Sequence, residues 1–190
     1  MKSIIRIVIL VLMLTGCSHQ DPKLRQQAID GVTQPFAKNA ITIQLNAQPN
    51  LNMWNGLANS SSILVIQSQN TAALDKLLSN PVLLKAMFAG TGSEGDILQT
   101  DRYVAMPGQQ NTLHIDRAEN TRYIAVVAGY FPFPDSRHIA RFTIPMTLKT
   151  HGWQNKIWTA KLVPLNAYVT LGQESIVAQK QDQPILQDVK

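Results

Sequence analysis

The chain has 190 residues, 45% hydrophobic and 15% charged, which fits one domain with a normal core and excludes a chain disordered throughout. Its formal charge is +5, but Lys2 and Arg6 precede Cys17, and the remaining 15 cations against 12 anions are scattered along the sequence, which is weak evidence for a nucleic-acid binder and fits an ordinary solvated surface. A single cysteine excludes any intrachain disulfide, so the core must hold by itself.

Residues 4–14 are apolar apart from Arg6, and Lys2 precedes them. A positive start and a short apolar run make a secretory signal. The unbroken stretch 7–14 is far short of the ~20 residues that cross a bilayer. It ends in Leu14-Thr15-Gly16-Cys17. Small residues at 15 and 16 let the chain lie extended in a peptidase cleft, and the Cys17 thiol is a nucleophile for thioether formation with a diacylglycerol group. This order resembles the bacterial lipobox. The resemblance implies that residues 1–16 are a signal peptide and that Cys17 is the lipid attachment site. Ser18 stands where an Asp would favour the inner membrane, which by the same analogy implies the outer membrane.

Residues 17–39 are polar and broken by Asp21-Pro22, Asp30-Gly31 and Gln34-Pro35. They read as a lipidated tether with a short helical turn near residues 24–29. Ile41, Ile43 and Leu45 then alternate with polar residues, as in a half-buried strand. Residues 63–66, Ile-Leu-Val-Ile, suit a strand covered on both faces. The period changes at residues 71–90. Leu74, Leu77 and Leu78 follow an Asn70 cap, and Leu83, Leu84, Met87 and Phe88 follow Asn80-Pro81, with Gly90 as the stop. This helical insertion is expected to pack on the core. Residues 90–96 form a loop without nucleotide-binding glycine spacing.

Strand patterns resume at 102–106, 112–117, 123–130, 140–144, 158–162 and 168–171, with a Pro107-Gly108 turn. A flexible Gln- and Lys-rich tail is expected over 173–190. About eight strands with one helical insertion predict an all-β fold, an antiparallel two-sheet sandwich over residues 40–172.

No catalytic constellation emerges. His19, His114, His138 and His151 lack metal-ligand spacing. A zinc site would have to combine His114 and His138 with an acid such as Asp116. Ser60-Ser61-Ser62 has no nucleophile-elbow pattern, and Asp96 and Asp101 read as loop solvation. No enzyme activity, cofactor, metal, nucleic acid or small-molecule substrate is expected.

One segment asks for a function. Residues 47–61 are too many for a tight hairpin, rich in Asn, and yet carry Leu51, Met53, Trp54 and Leu57. Loops with large apolar side chains often bind a partner, and Trp and Met favour protein interfaces. The competing reading folds Trp54 back as a lid on the core.

Taken in order, several features resemble the type VI secretion lipoprotein family TssJ, also called SciN. They are the lipobox, Leu51-Asn52 and Gly56 in a long loop, the strand at 63–67, the helical insertion, Ile97-Leu98, Pro107-Gly108 and the run 123–131. Arg137 and Arg141 fall where that family carries basic residues. The likeness spans residues 40–171; Asn70-Thr71-Ala72 departs from it, since an aromatic residue often opens the insertion there. It implies a transthyretin-like β-sandwich anchored at the outer membrane and facing the periplasm. Its implied partners are the periplasmic C-terminal region of TssM and, through the complex, TssL. The implied contact is the first long loop, here Gln48, Asn50, Leu51, Asn52, Met53, Trp54, Asn55, Gly56 and Leu57. The rival is a periplasmic carrier, which needs an apolar cavity of several hundred Å³.

Overall fold

The structure is a computed structural model describing residues 21–92, 95–131, 134–152 and 156–189. Cys17 and the signal segment lie outside the described residues.

In chain order the elements are α1 (Asp21–Asp30), β1 (Ala37–Ala47), β2 (Ser61–Ser68), α2 (Thr71–Leu78), α3 (Pro81–Ala89), β3 (Ile97–Ala105), β4 (Gln110–Arg117) and β5 (Tyr123–Ala128). There follow a 3₁₀ turn (Ser136–His138), β6 (Ile139–Thr143), β7 (Met146–His151), β8 (Ile157–Leu162), β9 (Leu165–Leu171), β10 (Ile176–Gln181) and β11 (Leu186–Val189). The sheets run β10-β9-β1-β4, β3-β2-β5-β6 and β11-β7-β8.

The first two sheets form the expected sandwich. On β1, Ile41, Ile43 and Leu45 face inward with Leu113 and Ile115 of the antiparallel β4 and with Leu165, Ala167 and Val169 of β9. Ile63 and Val65 of β2, with Ile124 and Val126 of β5, close the core from the other sheet. Removing this apolar surface from water supplies the main driving force.

The continuous run at 63–66 is explained by a second core. Leu64 and Ile66, with Ala125 and Val127, face outward and are covered by Leu74 and Leu77 of α2 and Leu84 and Met87 of α3. The caps are as expected: Asn70 Oδ1 accepts from Ala73 N at 2.7 Å and Asn80 Oδ1 from Leu83 N at 3.1 Å. Gly90 ends α3 at φ +79°.

The structure adds a third sheet and departs from pure antiparallel pairing: β9 runs parallel to β1, and β11 to β7. Pro145 follows β6 and Pro164 precedes β9. The two links lie side by side, Val163 N donating to Pro145 O at 2.9 Å. They lead the β7–β8 hairpin out of the end of the sandwich, since proline cannot continue a ladder. α1 packs on β8.

Two boundary expectations change accordingly. The polar segment 17–39, read as a tether, contains a docked helix: Arg25 pairs with Asp188 at 3.1 Å and lies over the Trp158 ring at 6.0 Å. The tail expected from 173 onward instead pairs as β10 on β9 and β11 on β7. Edge strands are held by backbone hydrogen bonds and can carry polar side chains outward, so hydropathy alone does not reveal them.

The strand directions define two poles. The β1–β2, β3–β4, β5–β6 and β9–β10 connections meet at one, the loop pole. The third sheet and α1 extend beyond the other, the helix pole.

Candidate functional site at the loop pole

Loop 48–60 leaves β1 beside two neighbouring turns and is tied to both. Gln48 N donates to Leu171 O at 2.9 Å, and Gln48 O accepts from Gly108 N at 3.2 Å. Pro107 followed by Gly108 at φ +73° gives that second turn its shape. Leu51 is fully buried in the main core. It is a foot of the loop: expected as a partner contact, it has no exposed surface in this chain and supports the tip from beneath.

Asn52 stands at φ +45°, a region Asn tolerates better than most residues. Its Nδ2 donates to Ser60 O at 2.9 Å and its Oδ1 accepts from Phe131 N at 3.1 Å. This side chain is therefore occupied in holding the loop to the end of β5. Asn50 Nδ2 reaches Gln173 Oε1 at 3.2 Å, and Met53 N donates to Gln173 O at 3.1 Å. Met53 is half-buried.

The tip is a miniature hairpin. Trp54 N donates to Leu57 O at 2.9 Å and Leu57 N to Trp54 O at 3.0 Å. Between them Asn55 (φ +49°) and Gly56 (φ +78°) form the Asn-Gly turn whose twist suits a two-residue connection. Asn59 Nδ2 braces it by donating to Leu57 O at 2.9 Å. The hairpin displays its apolar side chains: Trp54 is 53% exposed and Leu57 70%. The Trp54 ring meets Phe131, itself 58% exposed, at a centroid distance of 4.2 Å and an angle of 58°. Trp54 thus stands on another exposed ring and does not cap the core.

Phe131 stands beside the loop tip, although the sequence reading includes it only as the last residue of the run 123–131 and not among the candidate contacts. The available signal was an aromatic residue in turn chemistry directly after a core strand. Below it, Tyr130 is buried and its hydroxyl donates toward Gly172 O (3.1 Å) and Ser175 O (2.8 Å); burial raises its phenol pKa well above the usual value. His138 stacks beside Tyr130 at 4.7 Å. Its Nδ1 accepts from Asp135 N and its Nε2 donates to Glu174 O, each at 2.8 Å, an assignment fixed by the bonding network. These contacts pin the 172–175 and 135–138 turns under the loop. Arg137 bonds to Asp135 (Nη2–Oδ2 3.0 Å) and holds that carboxyl below its ordinary pKa. Arg141 points elsewhere and pairs with Asp75 of α2.

No group of three His, Cys, Asp or Glu among the described residues is placed to hold a metal, and His114 and His138 belong to different regions. The open grooves among the described residues include two. One, of about 280 Å³, is lined by Met87, Gly90, Ile97 and Arg102. The other, of about 470 Å³, lies over Gln44, Asn46, Thr112 and Tyr168. Neither lies between the two sheets, where a carrier's ligand would sit. No helix among the described residues is long and apolar enough to cross a membrane.

The model of the family described as type VI secretion lipoprotein (VasD, EvfM, TssJ) matches residues 39–158. No curated protein matches the chain in sequence. Among solved structures, the type VI lipoprotein TssJ1 from Pseudomonas aeruginosa is 20% identical with a TM-score of 0.53, over 80% of this chain and 98% of that one. Serratia marcescens Lip, a membrane-bound component of the type VI secretion system, is 15% identical with a TM-score of 0.53, over 75% of this chain and 96% of its own. A chain in a structure described as the type VI protein TssM C-terminal domain from EAEC is 13% identical with a TM-score of 0.52, over 76% and 98%. At these identities the likeness is one of fold.

Proposed function

The chain belongs to the type VI secretion lipoprotein family, and on that premise we propose that it is the docking subunit of the secretion system's membrane complex. In this reading Cys17 carries the lipid that holds it at the outer membrane, with the domain facing the periplasm. The loop pole captures the periplasmic C-terminal region of TssM, and TssL joins through the complex. The role is one of binding without catalysis.

The observation that carries this reading is the Trp54–Leu57 hairpin beside Phe131. Three exposed large apolar side chains on a hydrogen-bonded frame are costly to leave in water and well suited to a partner's pocket. Met53, Asn55 and Gly56 belong to the same tip, while Gln48, Asn50 and Asn52 hold it in place. The frame is preformed, so binding orders few groups. The anchor adds effective concentration, confining the domain to a thin layer and easing assembly at modest intrinsic affinity. The third structural relative, found in a structure named for the TssM C-terminal domain, supports the choice of partner.

Calorimetry of the purified domain with the periplasmic part of TssM tests the site. Trp54→Ala is expected to weaken binding strongly. Val82→Ala, at an exposed position on α3, is expected to leave it unchanged. Equal affinity for Trp54→Ala and the parent, with matching circular dichroism, removes the loop from the interface. For the anchor, Cys17→Ser is expected to abolish lipidation and secretion; normal outer-membrane fractionation of that variant refutes the attachment.

A further inference from the structure

We propose that the helix pole is a second interface, resting on the anionic phospholipid surface into which the acyl chains of Cys17 insert. The proposal deepens the reading of Cys17 as the lipid-bearing residue and rests on it.

Reach is the first argument. Only three residues, Ser18 to Gln20, separate Cys17 from Asp21, the first residue of α1. A chain extends at most about 3.5 Å per residue, so Asp21 stands within roughly 14 Å of the anchored residue. The headgroup layer of a bilayer is itself roughly 5–8 Å thick on each side. A body fastened so closely has little room to stand clear of the surface.

The second argument is direction. Arg25, at the middle of α1, meets Asp188 and Trp158 on the third sheet, and Trp158 pairs with Thr150 near the end of the β7–β8 hairpin. After the helix, Gln34 O accepts from Asn120 N and Pro35 O from Arg117, both at the end of the sandwich. α1 therefore runs from the hairpin's far end back toward the sandwich. Its start and the hairpin's outer end lie together at the extremity nearest the anchor.

Charge is the third. Lys23, Lys149, His151 and Lys156 are exposed at this extremity, beside Ile157 at 64% exposure. No Asp or Glu occurs between Asp135 and Glu174. The acids on α1 and the third sheet are Asp21, Asp30 and Asp188; Arg25 engages Asp188, and Asp30, at the helix end turned back toward the sandwich, accepts from Gln26 at 2.8 Å. Lysines around an exposed apolar side chain match an anionic headgroup layer, with Ile157 entering the interface and the ammonium groups at the phosphates. The loop pole then faces away from the membrane; β1 alone, with 11 residues, spans about 35 Å in that direction.

The test uses the full lipidated protein in bilayer discs of phosphatidylcholine, with or without about a third of phosphatidylglycerol, chosen so that interactions with anionic lipid register clearly. Acylation of each lysine is followed by mass spectrometry. On the anionic discs Lys23, Lys149 and Lys156 are expected to react about fivefold or more slowly than on neutral discs, the change expected for one favourable lysine–surface contact. Lys85 and Lys180, exposed elsewhere, serve as references and should not change. Lys149→Glu with Ile157→Ser, both at exposed positions, should abolish the slowing at Lys23 and Lys156. Equal reactivity on both discs, in a chain whose mass shows the lipid, overturns the proposal and leaves the anchor standing. An unmodified Cys17 removes anchor and proposal together.

Discussion

Two Met-aromatic pairs meet different fates. Met87-Phe88 on α3 turns inward, Met87 being only 5% exposed and Phe88 lying against Gly129 at the end of β5. On the loop Met53 stays half-buried and Trp54 turns outward. Hydrophobicity does not separate them; backbone satisfaction does. A helix meets its own hydrogen-bonding needs and is free to lay a stripe onto β2 and β5. The loop has no such ladder. It must spend Asn52, Asn59 and neighbouring carbonyls to satisfy its backbone, and the geometry they impose carries Trp54 to the surface. The inward pair contributes stability, and the Trp54 ring is left exposed.

The widest separation between the two segments is expected from Leu84→Ala on α3. Leu84 is buried against Leu64 and Ile66, so truncation should cost about 2–5 kcal/mol in denaturant unfolding. The surviving folded fraction should bind TssM as the parent does. Reduced affinity per folded molecule would mean that the helices belong to the interface. Trp54→Ala is the reverse case. It should lose about 2 kcal/mol or more of binding, at least roughly 30-fold, while the unfolding midpoint stays put, because its ring rests on exposed Phe131 and leaves no core cavity. A clear fall in stability would show that the loop is part of the core. Asn52→Ala lies between the two. It leaves Phe131 N and Ser60 O without their partner and places Ala at a positive φ that Asn tolerates better, which should cost about 1–2 kcal/mol of stability and a smaller share of binding.

The same contrast explains what the sequence made legible. Alternation at Ile41, Ile43 and Leu45 and the run at 63–66 reveal the strands, because burial on one face or two leaves a periodic trace. Asn70 and Asn80 reveal both helix starts, because a cap is a local device. The strands β10 and β11 leave no such trace: their pairing depends on which edge is free. α1 is hidden because its fit depends on Trp158 and Asp188, far away in sequence. At the loop pole, residue type marks a long loop with large apolar side chains, yet only the fold shows that Leu51 is a foot, that Asn52 is a brace and that Phe131 stands against Trp54.

The finest test concerns Gly56. A Cβ there would touch nothing within 4 Å, so Gly56→Ala adds no clash and removes no contact. What it changes is the backbone, since φ +78° costs an L-residue about 1 kcal/mol more than glycine. That strain falls on the turn alone. Unfolding should shift by no more than this amount, whereas TssM affinity should drop up to about fivefold, because the partner must restore a tip that no longer forms unaided. D-alanine at position 56, introduced by semisynthesis, adds the same methyl group without the penalty and should bind at least as well as glycine. If both enantiomers bind alike, preorganisation of the Asn55-Gly56 turn is not what readies Trp54 and Leu57 for capture.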